Sequence, residues 1–169
     1  MNRRTAPLVL LFLGAIVLAN VLAAHFGPTE TIYNAFFLIA LDLVTRDKLA
    51  DFWGVSRWRK QALLIVAGGL LSYLATSSTS TIAIASAVSF ACAETGEATL
   101  YWFVRKRPWL ERANISAWLG AAIDSVIFPT LAFGFIWTIS FGQFIAKVAG
   151  AAIWSVAILK VRAWRTVAA

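Results

Sequence analysis

The chain has 169 residues, of which 60% are apolar and 14% charged, with a mean hydropathy of +0.77. A soluble fold of this length cannot hide so much apolar surface, so a soluble globular domain is excluded. The net charge of +7 lies between apolar runs rather than on one face beside stacking aromatics, which argues against a nucleic-acid-binding module.

Every Lys and Arg except Lys147 falls into one of four clusters that alternate with the apolar runs. The clusters are Arg3/Arg4; Arg46, Lys48, Arg57, Arg59 and Lys60; Arg105, Lys106, Arg107 and Arg112; and Lys160, Arg162 and Arg165. Positively charged loops stay on the cytoplasmic side, and about 20 helical residues cross the hydrocarbon core. The expectation is an all-α integral membrane protein of the cell (inner) membrane, a single six-helix domain over 1–169 with both termini cytoplasmic. The spans are predicted at 7–26, 31–45, 62–76, 81–104, 116–137 and 143–159.

The first span follows Met1–Arg4, a start that also suits a secretory signal peptide, but its run is long for one and it reads as a true helix. It carries Asn20, the spacings Ala15/Ala19 and Ala19/Ala23 for close helix approach, and an interfacial His25 at its outer end. The second span carries Asn34 and Asp42. Arg46 follows Asp42 at i+4, so the two are open to an intrahelical pair, and Asp47, Lys48 and Asp51 read as a solvated, partly helical loop. The third holds the Gly68–Gly69 pair, and the Ser77–Ser80 tract after it is a short outer loop. The fourth brings Glu94, Glu97 and Tyr101 onto one face at i, i+3 and i+7, with Cys92 expected as a packed apolar side chain. One cysteine excludes an internal disulfide and a cysteine-based metal cluster.

The fifth span aligns Gly120, Asp124 and Phe128 at i, i+4 and i+8, and the sixth aligns Gln143 and Lys147 at i, i+4. Counted from the outer loops, Glu94 lies roughly 20 Å deep and Lys147 roughly 9 Å. Trp53, Trp58, Trp102, Trp109, Trp118 and Trp164 gather at the predicted cytoplasmic interface as headgroup anchors.

A charge at mid-bilayer costs about 2.5–3.5 kcal/mol, so four acids and a lysine inside apolar runs point to a polar interior. Carboxylates accept a forked N–H/NH₂ edge, amides serve a carbonyl, and Tyr101, Phe128 and Phe133 offer ring faces. This set suits a planar, donor-rich heterocycle, and equally a proton relay. The candidate site is Glu94, Glu97, Asp124, Lys147, Asp42, Asn20, Asn34, Tyr101, Phe128 and Gln143. No catalytic residue, metal or cofactor is expected: there is no His cluster and no nucleophile with a base.

The stretch 94–134 reads ETGEATLYWFVRKRPWLERANISAWLGAAIDSVIFPTLAFG, and it resembles the signature region of the VUT family, the vitamin-uptake or queuosine-precursor transporters. The resemblance rests on Glu94, Glu97 and Tyr101, then Arg112, Asn114 and Ser116, then Gly120, Asp124, Ser125 and Phe128, with Asn20, Asp42 and Lys147 similar to family positions elsewhere. It implies import of a 7-deazaguanine base and a fold similar to the substrate-binding subunits of energy-coupling-factor importers. The chain is short for the family, Arg46 stands where an acid is expected, and Asn114-Ile115-Ser116 replaces a Ser-Asn dipeptide. Three readings stay open: a carrier, a binding subunit coupled to ATP-hydrolysing partners through the first helix's small-residue face, and a proton or cation channel. The partners are then a small molecule and lipid, with a homo-oligomer or energy-coupling subunits possible.

Overall fold

The computed structural model describes residues 5–75 and 80–167, with side chains to residue 157. Its helices are α1 (Ala6–Phe26), α2 (Glu30–Asn34), α3 (Ala40–Trp53), α4 (Arg57–Ala75), α5 (Ser80–Phe103), α6 (Trp109–Phe133) and α7 (Trp137–Val167). A π-helical segment, Ala35–Ile39, joins α2 to α3, so the three run as one rod. Pro7 starts α1, where its missing N–H costs nothing, and Gly27 and Gly134 stop α1 and α6 at positive φ.

The helices close a ring in the order α1, α4, α5, α6, α7 and the α2–α3 rod, which returns to α1. From its place in the ring α3 also reaches α4 and α6, so its side chains meet those of most other helices. The rod and α7 approach closely at the π segment. A Cβ on Gly150 would meet the Phe36 carbonyl and lie 2.6 Å from the Ala40 Cβ, so only glycine fits there. Phe12, Ile16, Leu49, Leu64 and Phe90 form one apolar cluster, and Ala40, Val44, Ala117 and Ala151 a second.

Side-chain polarity is inverted relative to a water-soluble protein. Leu10, Leu18, Leu63, Leu70, Leu74, Ile84, Val126, Leu131, Ile145 and Ile153 are exposed, while Asn20, Asn34, Asp42, Arg46, Glu94, Glu97, Asp124, Gln143 and Lys147 are buried. An apolar coat over a charged interior is the arrangement that a bilayer selects. Among the described residues three helices are long and apolar enough to cross a membrane: Ala6–Phe26, Leu110–Phe133 and Trp137–Ala157. The protein is therefore an all-α membrane protein.

Four expectations are corrected. The helix that holds the second predicted span does not stop near Thr45 but continues to Trp53, and of the stretch read as a solvated, partly helical loop Asp47 and Lys48 are buried, 8% and 9% exposed, while Asp51 is exposed. Arg46, 2% exposed, faces acids on α5 rather than water. Cys92 is exposed on the outside of α5 instead of packed. The Ala15, Ala19 and Ala23 face of α1 is buried within the bundle, so it is not available to a coupling partner. The last two helices also shift: α6 begins at Trp109 and stops at Phe133, and α7 runs Trp137–Val167. His25, Trp58, Trp102 and Trp118 are exposed, as interfacial residues would be. Arg3, Arg4 and the 77–79 part of the outer loop lie outside the described residues, as do the side chains of Trp109, Lys160, Arg162, Trp164 and Arg165.

Candidate functional site

Two ion-pair centres lie inside the bundle. In the first, Glu94 and Glu97 are i, i+3 on α5 and face α3, which supplies Arg46. Arg46 Nη1 is 2.9 Å from Glu94 Oε2, and Nη2 contacts Glu97 Oε2. Both are close ion pairs that lack hydrogen-bond alignment. Asp42, one turn earlier on α3, is fully buried, and neither carboxylate oxygen has a hydrogen-bond partner. The open possibility of an Asp42–Arg46 pair is thus not realised: two carboxylates on the facing helix hold the guanidinium against one on its own helix. Gly120 makes room for this centre, because a Cβ there would fall on the Glu97 carboxylate.

The second centre joins α6 to α7. Lys147 Nζ lies 2.7 Å from Asp124 Oδ2 and donates to Ser125 Oγ at 3.0 Å and Gln143 Oε1 at 3.1 Å. Gln143 Nε2 in turn donates to Thr31 Oγ1 at 2.7 Å, tying the start of α7 to α2. Ser89 of α5 donates to Asp124 Oδ1. All three donors of the Lys147 ammonium thus have an acceptor, which is what a buried charge needs.

Beside this second centre lies a narrow cleft of about 20 Å³, room for about one water molecule. Its walls include Asn20, Asn34, Phe90, Asp124, Phe128, Gln143 and Lys147. Asn20 Nδ2 donates to Ser72 Oγ at 2.8 Å, and Asn34 Nδ2 donates to the Ala19 carbonyl at 3.3 Å. Each NH₂ thus has one N–H tied back to the protein. Phe128 packs edge-on against Phe133, with ring centroids 6.1 Å apart.

The other predicted site residues lie elsewhere. Glu94, Glu97 and Tyr101 line a second small space of about 20 Å³, together with Asp47, Arg57, Gln61 and Ser116. Tyr101 donates to Asp51 Oδ1 at 2.9 Å, and the Arg112 guanidinium stands 4.7 Å from its ring centroid. The polar interior read from the sequence as one cavity is thus two clefts, with Asp42 lining neither. Asn114 and Ser116 donate to carbonyls of their own helix, at Leu110 and Arg112. Among the described residues no group of His, Cys, Asp or Glu is placed to hold a metal ion.

The sequence reading missed Arg46, Ser89, Thr31 and Gln61 as parts of the interior. Arg46 carried a signal, a cation one turn from a buried acid. Ser89 and Thr31 carried none, since hydroxyl residues are scattered through every helix.

No curated protein and no solved structure matches the chain significantly. The family described as Putative vitamin uptake transporter matches residues 5–161. A membrane transporter that takes up a small molecule accords with the inverted polarity and buried charged centres, and the chain belongs to that family.

Proposed function

We propose that the protein is a carrier that imports a 7-deazaguanine-type precursor of queuosine, with six spans in the cell membrane and both termini cytoplasmic. The observation that carries this reading is the first cleft. It sets two amide carbonyls with fixed orientation, Asn20 and Asn34, opposite the Asp124–Lys147 pair and beside the Phe90 and Phe128 rings. Amide carbonyls accept from ring N–H and exocyclic NH₂ groups, and the aromatic walls suit a flat ring. A sugar would need more hydroxyl partners, and an inorganic anion would find Asp124 in its way. The separation of the two ion-pair centres supports a carrier over a channel, because each centre ties helices together across the interior.

The test is rescue of queuosine in tRNA, in a host that neither makes the precursor nor has its own importer. Each candidate base is supplied at nanomolar concentration. Rescue that requires Asp124 and Glu94 is expected. Absence of rescue by well-expressed, correctly inserted protein would sink the precursor assignment, while leaving the membership of a transporter family intact.

A further inference from the structure

Arg46 occupies the place that a ligand's forked N–H edge would take. Its two terminal nitrogens divide between Glu94 and Glu97, and its side chain is only 2% exposed. The guanidinium is held there by two carboxylates from the facing helix. A second seat lies within reach. Asp42 precedes Arg46 by one turn of α3, and both its oxygens are buried without a hydrogen-bond partner. One cation therefore serves two acceptor sets, the Glu94/Glu97 pair and Asp42, and leaves whichever it vacates exposed to the cost of an unpaired buried charge. A small cleft of about 20 Å³ borders Glu94 and Glu97, with Tyr101 and Arg57 also on its wall.

We propose that Arg46 is a tethered competitor for the Glu94/Glu97 pair. It rests on the pair when the site is empty and swings to Asp42 when a ligand takes its place from the Tyr101 side. Charge balance names the ligand class. A neutral ring would leave the two carboxylates without a cation, whereas a planar, positively charged group such as an amidinium, or a heterocycle bearing a protonated amine, restores what Arg46 removes. This goes beyond the carrier reading, whose site is the first cleft, and rests on it only for its purpose.

The test uses the purified full chain in detergent and follows thermal stabilisation by benzamidine, a planar cation, with neutral benzamide as the control of equal shape. The wild-type chain is expected to bind benzamidine and not benzamide. Arg46→Gln empties the pair and should tighten benzamidine binding about tenfold, whereas Asp42→Asn removes the second seat and should weaken it about tenfold. Glu94→Gln added to Arg46→Gln should cancel the gain. Equal affinities in wild type, Arg46→Gln and Asp42→Asn would overturn the proposal, as would failure of the wild type to prefer benzamidine. Should Arg46→Gln not fold, unchanged binding by Asp42→Asn overturns it alone. Since no transport is read, a failed queuosine rescue beside the expected benzamidine order removes only the precursor, and rescue beside flat benzamidine binding removes only the switch.

Discussion

Gly120 on α6 lies against the carboxylate of Glu97 on α5, so closely that a Cβ at position 120 would overlap it. The contact joins the most extensively packed pair of helices to the Arg46 ion pair, and it explains why a small residue belongs four positions before Asp124. Gly120→Ala must push Glu97 out of a site in which it is 3% exposed. Overpacking of this kind costs about 1–3 kcal/mol. Thermal unfolding of the purified protein should show a lower midpoint, and Gly120→Ala with Glu97→Asp, one methylene shorter, should recover part of it. An unchanged midpoint in the single variant would mean that Glu97 has free room and that the contact constrains nothing.

Lys147 and Asp124 test how far the second centre is structural. Lys147→Met leaves a buried carboxylate without its cation, a loss of about 3–5 kcal/mol for one-sided removal. Asp124→Asn combined with Lys147→Met removes both charges and should restore most of the stability. Uptake should stay absent in the double variant, because the cleft has lost both charged groups. Recovery of uptake together with stability would make the pair a structural brace and move the binding site elsewhere.

The helical membrane fold was legible because apolar runs and basic clusters are properties of composition along the chain. The rod formed by α2, the π segment and α3 was not. Arg46, Asp47 and Lys48 look like a loop when counted by charge, and Arg46 sits in the interior because Glu94 and Glu97 wait across from it on α5. That partnership spans two helices distant in sequence, and helical spacing reports only neighbours on one helix. The same limit merged two clefts into one. Periodicity put Glu94, Glu97 and Tyr101 on one face of α5 and Asp124 and Phe128 on one face of α6, but the rotation that points those faces at different spaces is set by packing. Cys92 was misjudged for the opposite reason: small neighbours suggest burial, yet in a membrane protein small residues also face outward.

Asn34 is the most direct probe of the first cleft. Its NH₂ is held by the Ala19 carbonyl, and in the proposed site its side-chain oxygen is the acceptor. Asn34→Leu keeps the volume and removes both the tie and the acceptor. A lost hydrogen bond to a buried partner costs about 1–3 kcal/mol, which corresponds to a rise in the transport KM of roughly tenfold or more. Initial-rate uptake of labelled precursor over a concentration series measures this. A fall in maximal rate with KM unchanged would place Asn34 in helix packing rather than in recognition.

Cys92 reports on the outer face of α5. It shares a shallow exposed groove with Thr95 and Thr99, whose hydroxyls donate to Ala91 and Thr95 carbonyls at 2.8 and 2.7 Å and so need no water. Hydroxyls satisfied on their own helix are compatible with hydrocarbon, and a face built this way is expected to contact lipid. As the chain has one cysteine, a nitroxide can be attached there without further substitution. In reconstituted bilayers its relaxation should be enhanced strongly by oxygen, which partitions into lipid, and weakly by a water-soluble nickel chelate. Strong enhancement by nickel would mean that α5 turns this face to water, and weak enhancement by both would bury it in a protein contact, which would point to assembly with a second chain on that side of the bundle.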